Sequence, residues 1–102
     1  MEILKKTENG NLIIDEKVIS DIVSLAVSRI KDVYPNKKDG KYVKCSHKDS
    51  LINVEIFIKL KQGEDINALC KEVQSTVYER VYSMADIKLN SIDINIQGFV
   101  KE

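Results

Sequence analysis

The stretch from Leu51 to Leu60, LINVEIFIKL, constrains the fold more than any other part of the chain. Large apolar residues recur at every second position, namely Ile52, Val54, Ile56, Ile58 and Leu60. Because successive side chains of a strand point to opposite faces, this pattern predicts a β-strand with one dry face and one mostly wet face. Such a strand needs a sheet around it and a second layer over its dry face.

Two amphipathic helices are predicted to supply that layer. Asp15 can accept hydrogen bonds from the free amides of the first helix, and Pro35 is expected to end it. Asp65 can cap the second helix, which is expected to end near Ala85. Apolar residues recur at steps of three and four in both segments: Ile19, Ile22, Val23, Ala26, Ile30 and Val33 in the first, and Ile66, Leu69, Cys70, Val73, Val77, Val81 and Met84 in the second.

Shorter strands complete the predicted order of elements. Leu12 to Ile14 precedes the first helix, Tyr42 to His47 forms a hairpin with the long strand, and a last strand spans Ile87 to Ile96 with a bulge near Asn90. The order is strand, helix, strand, strand, helix, strand. We therefore expect an α+β fold, a two-layer sandwich with two helices on one face of a mainly antiparallel sheet. Residues 1–10 are predicted to be a flexible tail and residues 11–102 a single domain.

Composition and charge indicate a soluble globular protein. Of 102 residues, 43% are hydrophobic and 31% charged, and 16 basic side chains balance 16 acidic ones. Zero net charge argues against a dedicated nucleic-acid binder, which needs a basic surplus. The opening MEILKKTENG lacks the apolar core of a secretory signal, and no apolar run approaches the roughly 20 residues of a membrane span. The expected location is the cytoplasm, with any membrane contact peripheral or made through a partner.

The stretch YVKCSHKDS raises the question of a thiol or metal site, because Cys45 lies two residues from the single histidine, His47. Cys45 shares a strand face with Val43, and Cys70 lies on a helical apolar stripe, so both thiols are expected in the core. His47 is expected at the solvent edge. The spacing fits no standard zinc motif, and no nucleophile elbow or phosphate-binding loop occurs. The sequence therefore predicts no enzyme, cofactor, metal site or small-molecule substrate.

A basic stretch runs from Arg29 to Lys48, with seven basic residues against two acidic ones, a surplus of five. It includes Lys37, Lys38 and Lys41. One interpretation is a solvated loop beside a helix end. The other is a patch for an acidic partner, anionic lipid head groups or nucleic acid.

Two aromatic pairs are further candidates for an interaction surface. Tyr42 and Lys44 are expected to share the outer sheet face with Phe57 and Lys59, an arrangement similar to the stacking surfaces of sheet-based RNA readers. A small RNA-binding domain is therefore the alternative function, although NVEIFIKL lacks the glycines of the RNA-reader signature. Tyr78 and Tyr82, four apart on the second helix, either shield a core edge or begin a contact between copies of the chain.

Three longer segments carry a resemblance to a known family. GNLIIDEKVISDIVSLAVSRIKDV, INVEIFIKLKQGEDINAL and VQSTVYERVYSMADIKLNSIDINIQGF together resemble the alkaline shock protein family of Gram-positive bacteria, also called the envelope stress response family. The resemblance implies a non-enzymatic cytoplasmic scaffold or adaptor in general and envelope stress. It also implies that the protein forms homo-oligomers and lies near the inner membrane face by docking to a membrane-anchored homologue. No ligand site is implied.

Overall fold

The computed structural model describes residues 2–7, 10–37, 41–49 and 51–101, with the backbone alone described before Asp15. Its strands are β1 (Glu2–Thr7), β2 (Gly10–Asp15), β3 (Val33–Pro35), β4 (Val43–Lys48), β5 (Leu51–Lys61) and β6 (Ser91–Val100). Its helices are α1 (Glu16–Ser28) and α2 (Ile66–Ala85).

The long strand β5 is the centre of the main sheet. β6 runs parallel to it from Asn53 to Lys61, while β3 and β4 pair with it antiparallel. The Phe57 N–H donates to the Tyr42 carbonyl at 2.9 Å, and the Phe57 carbonyl accepts from the Asn36 N–H at 2.9 Å. Both groups of one residue face one edge of a strand, so β3 and β4 lie end to end along the same edge. The sheet is therefore three strands wide with β6 at the other edge.

The predicted fold class is confirmed as α+β with both helices packed on one face of the sheet. β3 and β4 make antiparallel pairs, as predicted, whereas β6 is parallel to β5. The reason is that α2 lies between β5 and β6 in the chain. This helical crossover brings the chain back to the end of the sheet where β5 begins, so β6 runs in the same direction as β5.

The core lies between the helices and the even-numbered face of β5. The five alternating residues of β5 are at most 7% exposed, and Ile56, Ile58 and Leu60 are completely buried. The predicted inward face is therefore confirmed. They pack against buried residues of both helices, of the turn after α1, of β3 and β4, and of the segment before β6. These residues are Ile19, Val23, Ala26, Val27, Ile30, Val33, Val43, Val73, Val77, Val81, Ile87 and Leu89.

The helix starts follow the sequence, but α1 ends early. Asp15 Oδ1 accepts from the Lys17 N–H at 3.0 Å, and Asp65 Oδ1 accepts from the Ala68 N–H at 3.2 Å. The helix α1 stops at Ser28, and Asp32 adopts a left-handed conformation with φ of 69°. Aspartate tolerates this conformation, which turns the chain into β3. The prediction that α1 continues to Pro35 is therefore wrong, since Pro35 lies in a strand.

The N-terminal residues form a hairpin of their own. β1 pairs antiparallel with β2 from Glu2 opposite Asp15 to Thr7 opposite Gly10. The expected strand from Leu12 to Ile14 thus exists within β2, but it pairs with β1 in a separate sheet instead of joining the main one. The predicted tail at residues 1–10 contains a strand, while its flexibility stays a prediction.

The approach to β6 also differs from the prediction. Ile87 and Leu89 are buried but precede β6 outside any strand, and no bulge lies at Asn90. The register shift falls later. Ile58 of β5 is opposite Ile96, but Lys59 is opposite Gly98, so the pairing passes over Gln97. The two apolar patterns in the sequence therefore belong to two different segments. Ile87 and Leu89 lie in the segment that precedes β6, and the isoleucines from Ile92 onward lie in β6 itself.

Candidate functional site

The outer face of the sheet is held together by side-chain hydrogen bonds across β5 and β6. Asn53 Oδ1 accepts from Asn90 Nδ2 at 2.8 Å and from Ser91 Oγ at 2.7 Å. Farther along, Asn95 Nδ2 donates to Glu55 Oε2 at 2.9 Å. These bonds fix the polar side chains of the face against one another.

Phe57 lies on this outer face but is only 3% exposed. The Lys44 Nζ lies 5.3 Å from the centroid of its ring, at cation–π distance. The expectation of an exposed Phe57 that could stack on a base is therefore wrong. Lys44 and Lys59 are exposed on the same face, as predicted.

Tyr42 does not join this face. The chain bends at Tyr42 just before β4, and its hydroxyl donates to the Ser24 carbonyl of α1 at 3.2 Å. Its ring packs against the core on the helix side. The structure thus separates Tyr42 from Phe57, and the predicted set of two aromatics flanked by two lysines does not form.

A cavity of about 760 Å³ lies between the start of α1 and β4. The side chains that could carry charge there are of both signs: Asp15, Glu16, Lys17, Asp21, Lys37, Lys41 and Lys44. Glu16 Oε1 is buried and has no hydrogen-bond partner within the part of the chain that the structure describes. The basic stretch predicted from the sequence therefore contributes to a mixed surface here, whereas Lys38 lies outside the described residues.

Cys45 lines this cavity and packs against the core, as predicted. Burial, reinforced by the Glu16 carboxylate, raises the pKa of the Cys45 thiol to about 11. The thiol is therefore protonated at neutral pH, which is the unreactive form.

The other predicted thiol and the histidine lie elsewhere. Cys70 is half-buried in α2 outside the core cluster, so the prediction that its thiol lies in the core is wrong. Its partial burial raises its pKa. His47 is half-buried in β4, opposite Ile52. Both cysteines are free, and across residues 2–7, 10–37, 41–49 and 51–101 no three His, Cys, Asp or Glu side chains cluster as metal ligands would.

The tyrosine pair on α2 is exposed near the start of β6. The rings of Tyr78 and Tyr82 stack with centroids 6.4 Å apart, and the Lys88 Nζ lies 5.9 Å from the Tyr82 ring. Tyr78 and Ile92 line a groove of about 390 Å³ between α2 and β6. The two tyrosines thus lie side by side on α2, while their role as a contact between copies stays a prediction.

Two features of this side were missed at the sequence level. Phe99 is 51% exposed, and β6 has no strand on its second edge among the described residues. The available signal was that Ser91 to Val100 contains a single charged residue, Asp93. Whether such a segment lies at an edge depends on the strand order, which the pattern of polar and apolar residues does not predict.

A helix that crosses a bilayer needs about 20 mostly apolar residues. Neither α1 nor α2 combines the length and the apolarity needed to cross the hydrocarbon core, and the same holds for every helical stretch the structure describes.

Comparison with known proteins places the chain in a family. The model of the alkaline shock protein 23 family, described as having a cell envelope-related function, matches residues 4–101. An uncharacterized protein of Streptococcus pyogenes, Spy1535, is 24% identical over 106 residues, covering 91% of this chain and 81% of its own length. No solved structure matches. Because the family model spans nearly the whole chain, this protein belongs to the alkaline shock protein 23 family, with its cell envelope-related function.

Proposed function

We propose that this protein is a non-enzymatic adaptor of the cell envelope, which self-associates and docks to a membrane-anchored homologue. The observation that carries the proposal is the family match over residues 4–101 and its cell envelope-related function. The match spans nearly the whole folded chain, so the envelope role is expected to reside in this one compact unit.

The character of the surface supports an adaptor. Exposed aromatic side chains are typical of protein contacts, and Tyr78, Tyr82 and Phe99 are 37%, 44% and 51% exposed. Tyr78 and Tyr82 lie on α2 and Phe99 lies near the end of β6, while Tyr34, at 39%, is exposed on β3.

The geometry weakens the RNA-binding alternative. That hypothesis requires exposed aromatics on the sheet for bases to stack on. Phe57 is nearly inaccessible and Tyr42 is hydrogen-bonded to α1, so the two aromatics predicted for that role are not available in the folded chain.

The Cys45 thiol that lines the larger cavity has a pKa of about 11, which disfavours thiol catalysis there.

Sedimentation velocity over a range of concentrations tests self-association, and we expect the weight-average mass to rise with concentration. Flotation with vesicles tests docking, using vesicles that carry the membrane-anchored homologue and plain vesicles of the same lipids. We expect the chain to float only with the homologue. A strictly monomeric chain that stays at the bottom of both gradients contradicts the proposal.

A variant with Tyr78→Ser and Tyr82→Ser asks whether the aromatic side of α2 takes part in docking. Both residues are exposed, so the fold should survive the change. The matched control is Tyr34→Ser, because Tyr34 is 39% exposed and lies in β3 at the opposite edge of the sheet. Equal flotation of both variants would exclude the α2 aromatics from the docking surface.

A further inference from the structure

Among the residues that the structure describes, no strand pairs with the second edge of β6. Phe57 turns its N–H and carbonyl to the edge that holds β3 and β4, so the even-numbered residues of β5 bond to β6. In a parallel ladder the residue opposite such a residue points its own groups away. Ile94 is opposite Ile56, and Ile96 is opposite Ile58. The N–H and carbonyl groups of Ile94 and Ile96 therefore face the open edge.

One end of this edge is already occupied. The Ile92 carbonyl, which the same alternation turns outward, accepts a hydrogen bond from Gln74 Nε2 at 3.1 Å. The Gln74 side chain thus covers the start of β6 and leaves the stretch from Asp93 onward accessible.

The two edges of the sheet differ in their protection against strand pairing. The edge formed by β3 and β4 consists of strands of three and six residues and carries Pro35, Lys44 and Lys48. Short strands, proline and lysine are the usual means by which an edge avoids pairing. β6 has ten residues without proline, lysine or arginine, and its single charge is Asp93. β6 therefore lacks the features that protect the other edge from pairing.

The side chains of β6 also leave apolar surface at this edge. Ile92, Ile94 and Ile96 point to the helix layer yet remain only half-buried, and Phe99 is 51% exposed. An added strand alongside β6 would cover these side chains together with the backbone groups. Peptide hydrogen bonds would supply affinity, and the isoleucines would supply apolar contact.

We propose that the occupant is β6 of a second copy of this chain, paired antiparallel about a two-fold axis. Two copies of the strand can pair without placing like charges opposite each other. With the axis at Ile94, Asp93 lies opposite Asn95 of the second copy, and with the axis at Asn95 it lies opposite Gln97. Either register pairs the carboxylate with an amide and never with its own copy, and it joins the two sheets through a closed, isologous interface.

This inference depends on the self-association proposed above and assigns a surface to it. The double variant Asp93→Lys and Asn95→Lys tests it, because lysine then faces lysine in both registers. The control is Asp21→Lys with Ser46→Lys, which adds the same three units of charge at exposed residues of α1 and β4. Thermal unfolding followed by circular dichroism verifies that both variants fold.

Sedimentation velocity should give a dimer dissociation constant at least about tenfold higher for the β6 variant, while the control matches the wild type. If the wild type dimerises and the β6 variant dimerises equally well, the β6 interface is refuted and the proposed self-association stands. If the wild type is a monomer at every concentration, self-association and the β6 interface both fail, while docking to the homologue is judged by flotation alone.

Amide hydrogen exchange on the wild type provides a second readout that needs no substitution. The N–H groups of Ile94 and Ile96 should exchange more slowly as the protein concentration rises. Cys45 and His47 are the control, because antiparallel alternation turns their N–H groups to the open edge of β4. Concentration-dependent protection at β4 but not at β6, or at neither edge in a dimeric sample, overturns the inference.

Discussion

The two phenylalanines provide a direct test of how deeply Phe57 is buried on the outer sheet face. Phe57 is 3% exposed and lies at the centre of β5, whereas Phe99 is 51% exposed near the end of β6. Replacing each with alanine removes the same atoms. The two variants therefore compare a covered ring with a half-covered ring in one protein, and each serves as the matched control of the other.

The expected costs differ by the burial of the two rings. A fully buried phenylalanine removes about 200 Å² from water, worth about 5 kcal/mol as an upper bound at about 25 cal/mol per Å². Phe→Ala substitutions in cores cost about 3–5 kcal/mol, so we expect about 3–4 kcal/mol for Phe57→Ala. For Phe99→Ala about half the area is involved and no cavity forms, so we expect about 1–2 kcal/mol.

Urea unfolding measures the difference. With a slope of about 1 kcal/mol per M, the midpoint should fall by about 3 M for Phe57→Ala and by about 1–2 M for Phe99→Ala. Equal midpoints for the two variants would refute the burial of Phe57. A Phe57→Ala variant that keeps full stability but loses partner binding would restore Phe57 as an exposed docking residue.

Three further predictions concern individual side chains. At pH 8 a thiol with a pKa of about 11 is about 0.1% ionised, whereas a thiol with the ordinary pKa of 9.0 is about 9% ionised. The more basic thiolate is up to about tenfold more nucleophilic, which offsets part of this difference. Cys45 of the folded chain should therefore react with iodoacetamide about tenfold more slowly than Cys45 of the chain unfolded in urea. That protection should be full below pH 9 and vanish as the pH rises through about 11. Mass spectrometry measures the alkylation of Cys45 separately from that of Cys70. Equal rates for the folded and the unfolded chain would contradict the prediction. Tyr42→Phe removes the hydrogen bond to α1 and should lower the free energy of unfolding by about 1 kcal/mol, while no change in urea would place the hydroxyl in solvent. Asp65→Ala removes the acceptor of the Ala68 N–H and should cost about 1 kcal/mol, which Asp65→Asn should largely restore if capping is the cause.

Periodicity predicted the parts of the fold that depend on burial. The alternation in β5 and the helical stripe with Val73, Val77 and Val81 identified side chains that the structure buries completely or nearly so, whereas Ile66 and Met84, predicted on the same stripe, are 41% and 59% exposed. These patterns are local consequences of one element facing one core. They can therefore be predicted without knowing which elements lie next to one another.

Pairing partners and faces at element ends could not be predicted in the same way. Tyr42 was assigned to the outer face by counting back from Val43, but the chain bends before β4 and the count fails there. The end of α1 was placed at Pro35, because the left-handed turn at Asp32 has no strong signal without a glycine. The parallel pairing of β6 depends on a helical crossover, which is a property of the whole topology.

The peptide unit of Phe57 has a consequence for how this fold can vary. Its carbonyl accepts from the Asn36 N–H and its N–H donates to the Tyr42 carbonyl, so both residues are fixed to the same residue of β5. A connection whose two ends are fixed in this way can change length without shifting either strand by a residue. We therefore expect an epitope tag inserted between Asn36 and Tyr42 to leave the register of β3 and β4 unchanged.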